Sequence, residues 1–171
     1  LKGHEGLRVT KVAFNPKGGK VASVGRDSVL RIWDVEKGEQ TQSLNGHENP
    51  TRALAYSPDG KIIASAGEDS RISLWDGDKL LQILQGHRDF VNDVAFSPDG
   101  TILASGAEDD RIIFWNVASG KQGFTLLGHA DGVTSVAFDP KGKLLASASK
   151  DGTVRLWDVA TGTQRQILEK P

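Results

Sequence analysis

Cysteine and methionine are both absent from the 171 residues, tyrosine occurs once, and the two signs of charge nearly balance. Without cysteine there is no disulfide, no thiolate metal site and no cysteine nucleophile. That absence is compatible with the cytosol and the exterior alike. Twenty-one Lys and Arg against 22 Asp and Glu leave a net charge of −1. No global field therefore draws the chain to nucleic acid or to an anionic membrane, and neither is expected as a partner. No apolar run approaches the roughly 18 residues of a membrane span, and no signal-peptide pattern is visible. The chain begins at Leu1 and not at Met, as a processed, trimmed or engineered product would. What remains suffices for a packed core: 37% of residues are hydrophobic, 25% are charged and 20 are glycine.

The scarce residues that are present keep time. Gly-His occurs at Gly3-His4, Gly46-His47, Gly86-His87 and Gly128-His129, with histidines 43, 40 and 42 residues apart. All four tryptophans, Trp33, Trp75, Trp115 and Trp157, follow at separations of 42, 40 and 42. Ser23, Ser65, Ser105 and Ser147 hold the same phase, as do Asp27, Asp69, Asp109 and Asp151. Four markers in one phase define an internal repeat, which takes precedence over any local reading. The units are 1–45, 46–85, 86–127 and 128–171.

Each unit carries strand signals. In the last, Val133 to Phe138 runs into Asp139-Pro140-Lys141-Gly142, a turn in which Pro presets φ. Leu144 to Ala148 follow, then the hairpin signal Lys150-Asp151-Gly152, the alternating run Val154 to Val159, and a more polar strand from Gln164 to Leu168. Asn15-Pro16, Ser57-Pro58-Asp59-Gly60 and Ser97-Pro98-Asp99-Gly100 repeat the first turn. Four short strands per unit predict an all-β chain.

With Gly-His near the start, Trp-Asp near the end and about 42 residues per unit, the chain resembles the WD-repeat family over essentially its whole length. The resemblance implies a β-propeller of four four-stranded blades. Three departures are small. The third unit reads Trp115-Asn116, the turn Asp76-Gly77-Asp78 is two residues shorter than its siblings, and one extra residue separates His4 from Phe14.

Ser, His and Asp together invite a catalytic-triad reading. Hydrolysis needs one activated nucleophile and an oxyanion hole, whereas here the set recurs four times at fixed phase with no separate oxyanion candidate. The resemblance implies a structural role instead, one hydrogen-bonded tetrad per blade: His4, Ser23, Asp27 and Trp33; His47, Ser65, Asp69 and Trp75; His87, Ser105, Asp109 and Trp115; His129, Ser147, Asp151 and Trp157. A buried indole N–H needs an acceptor, and hydroxyl, imidazole and carboxylate relay one bond to the next. Neither a catalytic residue, a metal nor a cofactor is expected. The histidines belong to separate blades, and the acidic pairs Glu68-Asp69, Glu108-Asp109 and Asp109-Asp110 read as solvated turn residues.

The resemblance also implies a partner-binding top rim of three positions per blade: Arg8, Thr10 and Arg26; Pro50, Arg52 and Glu68; Phe90, Asn92 and Glu108; Gly132, Thr134 and Lys150. Phe90, whose siblings are Arg8, Pro50 and Gly132, reads either as a contact anchor for a partner or as a side chain packed against a neighbouring loop. Arg8, Arg26 and Arg52 make one sector basic, and Glu68 with Glu108 make the next acidic, a mosaic suited to a polar peptide.

Four blades fall short of the seven- or eight-membered rings such repeats build, and a truncated stack leaves an apolar face open at each end. Two chains would close an eight-bladed ring, a homodimeric scaffold. Leu1-Lys2-Gly3-His4 would supply the Leu-x-Gly-His phrase that Glu169-Lys170-Pro171 does not continue. The alternatives are four consecutive blades of a longer ring, a closed four-bladed monomer with steeper wedging, and, from another class, an enzyme or a small-molecule or metal binder using the central channel.

Overall fold

The tight turns set the architecture. Residues 3–168 are described by a computed structural model, in which every segment between turns is short, extended and paired with its chain neighbour. The end-to-end phrase proposed for residues 1–4 and 169–171 falls largely outside the described residues. A 3₁₀ turn at His4–Gly6 precedes the first sheet: β1 (Val9–Phe14), β2 (Lys20–Gly25), β3 (Val29–Asp34) and β4 (Glu39–Asn45). The second holds β5 (Thr51–Tyr56), β6 (Ile62–Gly67), β7 (Arg71–Asp76) and β8 (Lys79–Gln85). The third holds β9 (Val91–Phe96), β10 (Ile102–Ala107), β11 (Ile112–Asn116) and β12 (Gln122–Leu126). The fourth holds β13 (Val133–Phe138), β14 (Leu144–Ser149), β15 (Val154–Asp158) and β16 (Gln164–Leu168). Each sheet is an antiparallel meander in chain order, a propeller blade.

Blades stack in sequence through their first strands, β1 against β5, β5 against β9 and β9 against β13. The pleat gives each blade two unlike faces. One carries small residues on the inner strands and branched ones outside, and the other carries a bulky apolar row ending in Trp. Ala22, Leu30 and Ile32 thus meet Leu54, Ile63 and Trp75 across the first seam. Ala53, Ala64 and Leu74 meet Val94, Leu103 and Trp115 across the second, and Ala104, Ile112 and Phe114 meet Val136, Leu145 and Trp157 across the third. Small against large lets neighbouring sheets interdigitate.

Among the described residues the two outermost faces lack such a neighbour. Val12 is 59% exposed, while its siblings Leu54, Val94 and Val136 are 2%, 4% and 4% exposed. Val9, Phe14 and Val35 are exposed on the same face of the first blade. On the opposite face of the fourth blade, Val154 and Leu168 are exposed where Leu30, Ile72, Ile112 and Leu44, Leu84, Leu126 are buried.

Candidate functional site

The glycine of each Gly-His phrase lies flat against an indole. A Cβ on Gly46 would overlap the six-membered ring of Trp75, and one on Gly3 would meet that of Trp33. The chain therefore passes close enough to bring the following histidine into the blade.

Each tryptophan N–H donates to the second-strand serine: Trp33 to Ser23 at 2.7 Å, Trp75 to Ser65 at 3.0 Å, and Trp115 to Ser105 and Trp157 to Ser147 at 2.8 Å. The serine hydroxyl in turn faces a histidine Nε2, at 2.8 Å for His4, His47 and His87 and 2.7 Å for His129. The other ring nitrogen, Nδ1, meets the turn carboxylate, Asp27, Asp69 and Asp151 at 2.8 Å and Asp109 at 3.0 Å. One assignment of hydrogens satisfies every member: indole N–H to serine oxygen, serine O–H to Nε2, and Nδ1–H to carboxylate.

The carboxylates gather further donors. Asp69, Asp109 and Asp151 accept backbone N–H groups from Glu48, Arg88 and Ala130, while Asp27 takes the guanidinium of Arg31. Burial pushes all four carboxyls up, but the histidine bond and these donors outweigh it. Asp27, Asp69, Asp109 and Asp151 end below the usual carboxylate range.

The rim has its own order. In every blade a β-bulge falls at the second rim position, between Val9 and Lys11, Thr51 and Ala53, Val91 and Asp93, and Val133 and Ser135. The bulged residues, Thr10, Arg52, Asn92 and Thr134, are thereby turned out of the ladder. The first and third rim positions are joined by a backbone bond of 2.9 Å, from Arg26 to Arg8, Glu68 to Pro50, Glu108 to Phe90 and Lys150 to Gly132.

These side chains tie blade to blade. Arg52 donates through Nε and Nη2 to Glu68 and through Nη1 to Asn92, and lies 3.7 Å from Glu108. Lys150 reaches back over the last seam to both oxygens of Glu108. That bond holds the Glu108 carboxyl below its usual range against partial burial, and the charge of Arg52 adds to it. Asn92 donates to the Val133 carbonyl and Thr10 to that of Thr51. The expected mosaic is thus largely self-paired. Arg52 belongs to the acidic side, and Arg8 and Arg26 are the exposed remainder of the basic sector.

Sequence reasoning missed one polar cluster on the first strands. Asp93, buried, accepts from Lys11 at 3.2 Å, from the Ser135 hydroxyl at 2.8 Å and from the Val136 N–H at 3.2 Å. Its signal was a charge at the phase position of Lys11, Ala53 and Ser135. Among the described residues no three His, Asp or Glu side chains are grouped as a metal site would require.

The WD domain, G-beta repeat family, WD40, matches residues 1–34, 38–76, 78–116 and 120–158. The chain belongs to the WD40 family. Each WD40 match closes at the Trp-Asp or Trp-Asn pair that ends the third strand of a blade, so the fourth strand begins the next match or lies beyond the last. A Lissencephaly-1 homolog from Monosiga brevicollis is 39% identical over 49 residues. That alignment covers 29% of this chain and 12% of the relative's length.

Proposed function

We propose that this WD40 chain is a non-catalytic protein-interaction scaffold in which two four-bladed copies close one eight-bladed ring. WD40 repeats generally serve as protein-interaction scaffolds, which supports the first half of the statement. The second half is carried by one observation, the exposure of Val12 against its three buried siblings.

The uncovered faces are complementary in kind. Val9, Val12, Phe14 and Val35 repeat the residue classes that Val133, Val136, Phe138 and Val159 present to the third blade. Ala137, Ala146, Val154 and Leu168 repeat those that Ala95, Ala104, Ile112 and Leu126 present in return. Among the described residues Thr134 finds only its own Ala148 carbonyl, whereas Thr10 also reaches the next blade at Thr51. A second copy placed in the internal register would supply the Val9 carbonyl to Thr134. The tetrads hold each blade rigid behind these faces, and of the rim Arg8 and Arg26 stay exposed for partners.

Light scattering tests the ring directly. The expected mass is about 37 kDa, twice the 18.3 kDa of one chain, and Val12→Asp should return it to that of one chain without loss of strand signal. A wild-type protein that stays at 18.3 kDa would remove the ring. It would favour the second reading, that further blades of a longer chain cover these faces. The short alignment with a much longer relative supports that alternative.

A further inference from the structure

Between the first and second blades, on the side away from the rim, lies a cavity of about 190 Å³. Ile32, Ile63 and Tyr56 line it, and Lys20, Lys61 and Asp76 stand around it. Its cause is in the sequence. The outer turns Val35 to Gly38, Val117 to Gly120 and Val159 to Gly162 each hold four residues, whereas Gly77-Asp78 holds two. Val117 and Val159 are buried plugs in the second and third seams, and Gly77 at the corresponding place brings no side chain.

A backbone bond is lost with the valine. The N–H groups of Val35, Val117 and Val159 donate at 3.0 Å to the carbonyls of Gly19, Thr101 and Lys143. Lys61 stands in that place in the second blade, and among the described residues no N–H donates to its carbonyl. Tyr56 adds a third departure, since its siblings are Phe14, Phe96 and Phe138. Its hydroxyl makes no hydrogen bond among the described residues. Burial pushes that phenol up to about 12, so it remains a donor at neutral pH.

We infer that this seam is a docking site for an extended segment of a partner protein that inserts a valine-sized aliphatic side chain and carries flanking carboxylates. The side chain would take the place that Val117 and Val159 take in their seams. Its N–H would meet the Lys61 carbonyl, and the Tyr56 hydroxyl would serve a peptide carbonyl. Two lysines against one aspartate around the opening favour acidic neighbours. The inference rests on the scaffold reading only in that the chain acts by binding protein. The seam lies within one chain, away from the outer faces of the first and fourth blades, so its test is separate from the mass measurement.

The test is an NMR titration of nitrogen-labelled protein with acetyl-Glu-Val-Glu-amide and acetyl-Glu-Gly-Glu-amide. The valine peptide should shift the amides of Gly60, Lys61, Ile63 and Gly77, and the glycine peptide should bind about tenfold more weakly, the worth of one buried valine. Replacing Gly77-Asp78 by Val-Ala-Thr-Gly, the sequence of Val159 to Gly162, should fill the seam and abolish the shifts. Should that graft fail to fold, Lys20→Glu with Lys61→Glu alters only exposed positions and should also abolish them. Absence of shifts, equal affinity for the two peptides, or shifts that persist in the folded variants would overturn the inference.

Discussion

The guanidinium carbon of Arg52 sits 4.8 Å from the centre of the Phe90 ring, so a cation of the second blade caps an aromatic of the third. Of the two readings of Phe90, packing against a neighbour is the one the geometry favours: the ring is half-buried beneath a side chain that also holds Glu68 and Asn92. Phe90→Ala should therefore lower stability by about 1 kcal/mol. Arg52→Lys should recover little of what Arg52→Ala loses, because an ammonium cannot fork to two acceptors while lying on a ring. Urea midpoints of the three variants measure this, and a midpoint for Arg52→Lys equal to that of the parent would contradict it.

Ser105 is fully buried, accepts from Trp115 and faces His87. Ser105→Ala leaves an indole N–H and an imidazole nitrogen without partners in a space water does not enter. A loss of about 1–3 kcal/mol is expected, read by thermal or urea unfolding. A variant that melts with the parent would show that the tetrad of that blade contributes nothing.

The tetrad carboxyls give stability a definite pH dependence. Their folded values lie below the ordinary carboxylate value of about 4. The stabilisation is therefore complete above that pH and is lost as pH falls toward the folded values, because the unfolded chain takes up protons that the folded chain refuses. The part of the urea midpoint owed to these carboxyls should decline as pH falls below about 5. Asp69→Asn should start lower and decline less steeply; parallel curves would exclude Asp69 from the effect.

Thr51 is wholly buried and its hydroxyl has no partner among the described residues, whereas its siblings are Val9, Val91 and Val133. Thr51→Val should raise stability by about 1 kcal/mol by removing an unsatisfied polar atom at constant shape. The reverse change, Val91→Thr, should lower it by a similar amount. A lower midpoint for Thr51→Val would mean that the hydroxyl is satisfied in solution.

The strand phase was legible because one pattern is written four times. Trp33, Trp75, Trp115 and Trp157 fix the buried face of every third strand, and Gly-His and the turn Asp fix the rest. Reach across a seam was not legible. Arg52 and Glu108 are 56 positions apart, and nothing in charge order says that a long side chain will spend itself on the adjacent blade. The short turn at Gly77 was plain in the sequence, but its consequence was not. Val117 had first to be seen as a plug before a missing valine could be seen as a cavity.

The two open faces, at Val12 and at Val154, are unlike each other. Association through them would therefore have a direction, as in a head-to-tail polymer, with each copy offering one end and accepting on the other. A copy ruined at Val12 alone would act as a terminator, still able to receive a neighbour on its fourth blade. The wedge angle of a blade would then decide how many copies meet before the first and last touch.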